Sequence, residues 1–136
     1  MTDMRAELVS ASVAAPPFHH WLNPEVVAVT DQEVAIRLRT RPEFRRSDAA
    51  DGVHGGVVAA LIDIAGHAAV VAAVGHGVPT INLRVDYLRM ATGDELLARA
   101  RPVRVGRSIA VVDIEITGFD GKLVAVGRGT FSTMSG

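Results

Sequence analysis

One long apolar segment constrains the fold more than any other part of this chain. Residues 53–74 are mainly Ala, Val, Ile, Leu and Gly, and Gly75 and Gly77 follow them. A helix that is apolar on nearly all sides is buried on nearly all sides. The segment is close to the ~20 residues of a membrane span, but Asp63 lies near its middle, where a charge is costly in a bilayer. We therefore interpret it as the buried central helix of a soluble protein.

The segments around this helix have the pattern of an antiparallel sheet. Apolar and polar residues alternate in several runs, which is typical of half-buried strands, and Asp120-Gly121 is a hairpin signal. Residues 3–14 fit a short helix, and the polar stretch 40–52 is predicted to be a loop. Small side chains on the long helix allow a sheet to approach it closely. The predicted fold is α+β, one domain over residues 1–136, with an antiparallel sheet wrapped around one long central helix. The predicted strands cover 26–30, 34–39, 80–89, 95–105, 109–117 and 123–132.

Composition narrows the classes of function. The net charge of -1 gives no support for general nucleic-acid binding, and the absence of cysteine excludes disulfides and thiolate chemistry. The charged residues at the N-terminus are not followed by a signal-peptide core. We expect a cytoplasmic protein that binds neither nucleic acid nor a membrane.

The start of the long helix carries the chemistry. Gly55 and Gly56 allow a ligand to approach the backbone closely, and the free N–H groups of a first helical turn favour an oxygen that carries negative charge. Asp63 follows about two and a half turns later in an apolar setting, where a carboxylate needs partners or a task. Together these features predict an acyl-transfer site.

Several motifs resemble those of one family. His54-Gly55-Gly56 with Asp63, the run from Thr80 to Arg89, Val105-Gly106-Arg107-Ser108, and residues 121–125 together resemble the hotdog-fold acyl-CoA thioesterases of the PaaI-like (phenylacetate-degradation) family. The resemblance covers residues 21–131. It implies a hotdog fold and hydrolysis of an acyl-CoA thioester without a metal or a separate cofactor, since coenzyme A is part of the substrate.

The resemblance also implies roles for individual residues. The Gly55 N–H would polarise the thioester carbonyl, and Asp63 would attack the carbonyl carbon or activate water. Thr80 would help to place the water, and His54 would hold the loop or the helix start in position. Candidate substrate-binding residues are Gly56, His67, Asn82, Arg89, Gly106, Arg107 and Ser108.

One candidate catalytic position departs from the family pattern. Members often carry an asparagine six residues before the histidine, and this chain has Asp48 there. A carboxylate accepts hydrogen bonds but donates one only when it is protonated. Asp48 would therefore need a raised pKa or a different role, or else the loop is shifted and Asp51 faces the site.

Helical geometry suggests that the site needs two chains. His54 and Asp63 are nine residues apart, which places them on opposite sides of a helix that starts by His54. A dimer that brings Asp63 of one subunit to Gly55 of the other resolves this, and the family implies a homodimer at least, often a homotetramer formed as a dimer of dimers. His67 shares a helix face with Asp63, so it either pairs with Asp63 or shapes the acyl pocket.

Two alternatives to a thioesterase remain. A hydratase or dehydratase acting on acyl thioesters would show a different placement of histidine and acid. A non-catalytic acyl-CoA-binding protein would have much the same sequence, and turnover distinguishes the two. The acyl group is open between an aromatic group, such as phenylacetyl, and a medium-length chain.

Overall fold

A six-stranded antiparallel sheet packs around one long helix, as predicted. We describe a computed structural model, and it describes residues 3–134, so residues 1–2 and 135–136 of the predicted domain lie outside it. The helices are α1 (Met4–Ala14), α2 (Pro17–Leu22) and α3 (Gly55–Val74), with a short 3₁₀ helix at Pro42–Phe44. The strands are β1 (Glu25–Val29), β2 (Val34–Arg39), β3 (Arg45–Ser47), β4 (Ala50–Val53), β5 (Thr80–Tyr87), β6 (Glu95–Val105), β7 (Ile109–Gly118) and β8 (Leu123–Ser132).

The sheet order is β1-β2-β6-β7-β8-β5, which leaves β1 and β5 as the edge strands. Helix α3 contacts β2, β5, β6, β7 and β8 on one side and α1 on the other. The helix is long and apolar enough to span a bilayer by length and composition, but its large side chains are buried against the sheet and α1. Burial of apolar surface is thus what holds the helix in place.

Two glycines of the sheet allow this close packing. A Cβ on Gly127 of β8 would lie 2.6 Å from Ile62 Cγ2 and 3.0 Å from the Arg84 carbonyl oxygen. A Cβ on Gly129 would lie 2.6 Å from the ring of Phe131. At Gly127, strand β8 therefore approaches α3 more closely than a side chain would permit, and Gly129 leaves room for the ring of Phe131.

The predicted loop at 40–52 is wrong. Strands β3 and β4 pair there as a two-stranded antiparallel hairpin outside the main sheet. The hairpin is anchored by backbone bonds, because the Val53 N–H donates to the Ala91 carbonyl and the His54 N–H to the Phe44 carbonyl. These tertiary bonds stabilise strands that have no alternating pattern of their own.

Helix α2 is a second element that the sequence pattern did not reveal. It is a single turn and a half, begun by the proline pair and ended by Asn23 in the left-handed conformation (φ 60°). Its Trp21 packs edge-on against Phe44, and the Arg41 guanidinium lies over both rings. Helix α2 is thereby fixed to the segment that leads into the hairpin.

Candidate active site

The N-terminus of α3 presents one free backbone N–H. His54 caps the helix: its Nδ1 accepts the Gly56 N–H at 2.8 Å, and its carbonyl oxygen accepts the Val57 N–H at 2.9 Å. Within the described chain, the Gly55 N–H makes no hydrogen bond. Because these N–H groups carry partial positive charge, the helix start is suited to polarise a carbonyl oxygen through Gly55. Gly56, a candidate for substrate binding, has its N–H occupied by His54.

The hydrogen bond to Gly56 also assigns the His54 tautomer. Nδ1 accepts, so the ring proton of the neutral imidazole is placed on Nε2. In this form the side chain takes the place of the Ser, Thr or Asp that usually caps a helix. His54 therefore caps the start of α3.

Tyr87, at the end of β5, covers the same glycine. Its hydroxyl donates to the Gly55 carbonyl oxygen at 2.7 Å. A Cβ on Gly55 would lie 3.3 Å from both Cζ and Oη of this ring. The absence of a side chain at Gly55 thus permits the close approach of the tyrosine ring.

A mainly apolar cavity of about 300 Å³ opens beside Gly55. Tyr87 and Val58 form the wall next to the helix start, and Arg89 and Arg46 contribute the cationic groups. An apolar space with a few polar groups is the usual form of a small-molecule site. Arg89, predicted to bind substrate, thus lies at the same cavity as Gly55. The lining is Arg46, Val53, Gly55, Val58, Tyr87, Leu88, Arg89, Met90, Ala91 and Val124.

Asp63 and Thr80 are in direct contact. The Thr80 hydroxyl donates to Asp63 Oδ1 at 2.7 Å, joining the middle of α3 to the first residue of β5. Asp63 is half-buried and Thr80 is exposed. The threonine occupies one carboxylate oxygen and leaves Oδ2 for a substrate atom or a water molecule.

His67 lies one turn further along α3 and bonds to the backbone. Its Nε2 accepts the Val78 N–H at 3.3 Å. Burial lowers the pKa of His67, the charge of Asp63 opposes this shift, and nearby His19 adds to it. A neutral ring bonded to Val78, beside an Asp63 bonded to Thr80, favours pocket shaping by His67 over a direct Asp63–His67 bond.

The predicted substrate-binding residues Gly106, Arg107 and Ser108 form the turn between β6 and β7. Thr133 stabilises this turn with two hydrogen bonds. Its hydroxyl donates to the Gly106 carbonyl at 3.0 Å, and its N–H donates to the Ser108 carbonyl at 2.9 Å. The adjacent Ser132 N–H donates to the carbonyl of Pro79, the residue before Thr80. The turn therefore lies at the Thr80 end of the sheet.

The candidate residues thus separate into two half-sites within one chain. Asp63 lies eight positions after Gly55 on α3, about 12 Å along the helix axis, which is too far for both to act on one thioester. His54 is the cap of α3, which begins at Gly55, so the placement of His54 opposite Asp63 stays a prediction. We call the group around the helix start the glycine half-site; its members are His54, Gly55, Gly56, Tyr87 and Arg89. We call the group around the acid the acid half-site; its members are Asp63, His67, Thr80, Gly106, Arg107 and Ser108.

Two candidates lie outside these groups in the single chain. Asp48 is exposed in the turn between β3 and β4, so the four residues of β4, about 13 Å of extended chain, separate it from α3. Asp51, its alternative, is exposed on β4 and lines a different cavity with Thr40 and Arg41. Asn82 is exposed on the edge strand β5.

Comparison with known proteins places these features in a family. Residues 52–125, which include Gly55, Asp63, Thr80 and Tyr87, match the thioesterase superfamily. The chain belongs to the thioesterase superfamily. A candidate esterase of Halobacterium salinarum is 36% identical over 95% of this chain and 92% of its own. The medium/long-chain acyl-CoA thioesterase YigI of Escherichia coli is 26% identical over 85% of this chain and 84% of its own.

Solved structures agree with this superfamily assignment. A thioesterase-superfamily structure with 34% identity has a TM-score of 0.92, over 96% of this chain and 98% of its own. The PaaI protein of the phenylacetic acid degradation operon of E. coli shares the fold, with a TM-score of 0.87 at 22% identity. The match covers 97% of this chain and 94% of the PaaI chain. The predicted hotdog fold and the predicted resemblance to PaaI-like thioesterases are confirmed. Membership of this superfamily and the esterase relative also support hydrolase activity.

Two contacts in this thioesterase-superfamily chain had not been predicted. The sequence pattern indicates no role for the hydroxyl of Tyr87, although Tyr87 lies in the motif from Thr80 to Arg89, and its bond to Gly55 spans 32 positions. Thr133 lies outside the motifs that resemble the family and is a buried polar residue. A sequence signal for the first existed, since Tyr87 is the only tyrosine of the chain.

Proposed function

We propose that this protein is an acyl-CoA thioesterase in which two protomers complete each site. The observation that carries the proposal is the division into two half-sites, each with half of the chemistry. The glycine half-site offers a free N–H and an apolar cavity, and the acid half-site offers a carboxylate hydrogen-bonded to a threonine. The catalytic residues would be Asp63 and Gly55, with Thr80 and His54 as their supports.

The reaction follows from these groups. The thioester oxygen accepts the Gly55 N–H, and the partial positive charge of the helix start stabilises the negative charge that develops on this oxygen. Asp63 either attacks the carbonyl carbon or takes a proton from a water molecule that does so. The C–S bond then breaks. When Asp63 is the base, it passes the proton of the attacking water to the sulfur, so that coenzyme A leaves as its thiol and the acyl group as a carboxylic acid. When Asp63 is the nucleophile, a water molecule then hydrolyses the mixed anhydride of Asp63 and the acyl group and supplies the proton of the thiol.

A second copy of the chain is the partner that joins the half-sites. Strand β5 is an edge strand of eight residues, with Thr80 of the acid half-site at its start and Tyr87 of the glycine half-site at its end. Antiparallel pairing of two β5 strands about a two-fold axis would place the Thr80 end of one beside the Tyr87 end of the other. The sheet edge that otherwise exposes unpaired backbone groups would also be covered.

The register of this pairing follows from the side chains. Directly opposite residues share a face, so a symmetric pairing is centred on one residue. A centre at Arg84 would place two like charges opposite each other, which destabilises a sheet. A centre at Leu83 places a half-buried apolar side chain against its own copy, and we adopt this register. A homotetramer, formed as a dimer of dimers, would leave this pairing intact.

The substrate class rests on the cavity and on the relatives. The apolar lining beside Gly55 suits an acyl group, and Arg46 and Arg89 suit an anionic part of coenzyme A. The relative YigI is named for medium and long acyl chains, whereas the PaaI operon is named for an aromatic acid. We include both kinds of acyl group in the proposed substrates and place the reaction in the cytoplasm.

The first experiment measures thiol release from aromatic and straight-chain acyl-CoAs by the wild type and by Asp63→Asn. We expect a turnover decrease of about 100-fold or more, the scale of a lost general base or nucleophile. Asp31→Asn is the matched control, because Asp31 is an exposed acid in the turn between β1 and β2. Wild-type turnover by Asp63→Asn would overturn the role of Asp63.

Mixed dimers test the sharing of the site. Gly55→Pro removes the N–H at a position where proline is tolerated, the first residue of a helix, after a His54 whose ψ of 134° suits the residue before proline. Each variant alone should be inactive, but a mixture with Asp63→Asn contains dimers with one intact site. After unfolding and refolding together, about a quarter of wild-type activity should return. No recovery would contradict the shared site.

The second candidate function is acyl-CoA binding without turnover. The same cavity and the same free N–H favour it, since neither requires hydrolysis. Binding of acyl-CoAs by the wild type, with no thiol release from any of them, would establish this alternative.

A further inference from the structure

We infer that Tyr87 is a positioning residue that aims the Gly55 N–H at the substrate carbonyl. The inference rests on the proposed function and deepens it, because it assigns a task to a hydroxyl that the reaction itself does not use. Two glycines in succession are the most mobile backbone that a chain can offer. A donor that must be preorganised toward a developing oxyanion therefore needs an external support.

The structure shows that support on both sides of one peptide unit. The unit between Gly55 and Gly56 has its N–H bonded to His54 Nδ1 at 2.8 Å and its carbonyl oxygen bonded to the Tyr87 hydroxyl at 2.7 Å. The next peptide unit toward the N-terminus carries the free Gly55 N–H. Because the clamped unit shares the Gly55 Cα with that N–H, fixing it restricts the direction in which the N–H points.

The position of the ring supports the same conclusion. Oη and Cζ of Tyr87 both lie 3.3 Å from the place where a Cβ of Gly55 would stand, so the ring is in contact with the glycine. The side chain is nevertheless 55% exposed. A half-exposed aromatic ring contributes less to the core than a buried one, and its specific contact is the bond to Gly55.

Tyr87→Phe tests the inference because it removes the hydroxyl and keeps the ring. We expect kcat/KM to fall about 5- to 15-fold, the scale of one lost hydrogen bond. Thr117→Val is the matched control, since it removes a hydroxyl from β7, two strands along the sheet from β5. Thermal unfolding of both variants verifies that they are folded.

Binding of two coenzyme A analogues separates positioning from simple packing. One analogue is a ketone, in which a methylene group replaces the thioester sulfur and the carbonyl oxygen remains. The other is an alkyl thioether, which has no carbonyl oxygen. Tyr87→Phe should weaken the ketone about fivefold and leave the affinity for the thioether unchanged. Equal weakening of both analogues, or no change in either, would overturn the inference.

A second variant covers the case in which Tyr87→Phe fails to fold. Tyr87 is the only tyrosine of the chain, so expression with difluorotyrosine alters this hydroxyl alone. The fluorinated phenol loses its proton at lower pH and then cannot donate to the Gly55 carbonyl. The affinity for the ketone should decrease at alkaline pH, and in the difluorotyrosine protein this decrease should occur at lower pH than in the wild type. The affinity for the thioether should show no such shift. An unmoved profile would contradict the inference.

These readouts also separate this inference from the proposed function. Absence of thiol release by the wild type would refute hydrolysis, and the ketone–thioether comparison would still measure the task of Tyr87. Normal thiol release by the wild type, together with ketone and thioether affinities in Tyr87→Phe that equal those of the wild type, would refute the inference alone.

Discussion

The hydroxyl of Thr80 donates to the carboxylate of Asp63 across 2.7 Å, from the first residue of an edge strand to the middle of the central helix. The two residues are separated by 17 positions, over which the helix ends at Gly75 and the chain reverses. The acid is therefore oriented by the same strand that would pair with a second protomer.

Thr80→Val should lower kcat about 5- to 10-fold, because the carboxylate loses the hydrogen bond that orients it. Thr80→Ser is the matched control, since it keeps the donor and should retain most of the activity. Steady-state kinetics with one acyl-CoA compare the two. Equal activity of the valine and serine variants would contradict an orienting role for the hydroxyl.

The half-buried His67 should make stability depend on pH. Burial lowers the pKa of His67, with the Asp63 charge opposing the shift and His19 adding to it. Below about pH 6.5, the ordinary histidine range, the unfolded chain binds a proton that the folded chain does not. The free energy of unfolding should therefore decrease from pH 7.5 to pH 5.5.

Urea unfolding of His67→Gln at both pH values measures this contribution. The variant should lose part of the pH dependence, whereas His20→Gln, at an exposed histidine, should retain it. The arginine partners of Glu25 and Asp113 lower the pKa of these carboxyl groups, and this changes the free energy of unfolding only at more acidic pH. An unchanged slope in His67→Gln would show that other groups cause the dependence.

Leu83→Cys should form a disulfide between two protomers. In the proposed register, the two Leu83 Cα atoms lie about 4.5–5.5 Å apart, within the range of a disulfide. The chain has no cysteine of its own, so a crosslink can involve only the introduced residue. Val103→Cys, at an exposed position of β6, is the control. Non-reducing gels that show a dimer for neither variant would exclude this pairing.

Gly127→Ala should destabilise the protein by about 1–3 kcal/mol, as expected for overpacking. The added Cβ would lie 2.6 Å from Ile62 Cγ2 and 3.0 Å from the backbone oxygen of Arg84. Gly77→Ala is the control, because a Cβ there meets open space. The two variants should differ in their urea midpoints, and equal midpoints would show that β8 can shift away from α3.

The sequence predicted the main sheet and the central helix because their patterns are local and periodic. Strands β6 and β8 have the predicted bounds, and α3 begins two residues later than predicted. The hairpin of β3 and β4 was not predicted, because Arg45–Ser47 has no apolar alternation, and its partner strand β4 is held by a bond from Val53 to the distant Ala91.

The amino-acid sequence by itself determined which groups this protein can use. Its apolar helix requires a surrounding sheet, its glycine pair opens the helix start, and Asp63 is an acid in an apolar setting. Only the tertiary structure decided how these groups are arranged. It clamps the Gly55–Gly56 peptide between His54 and Tyr87, joins Thr80 to Asp63, and separates the two half-sites along α3. Such contacts depend on where the chain returns in space, which residue spacing alone does not specify.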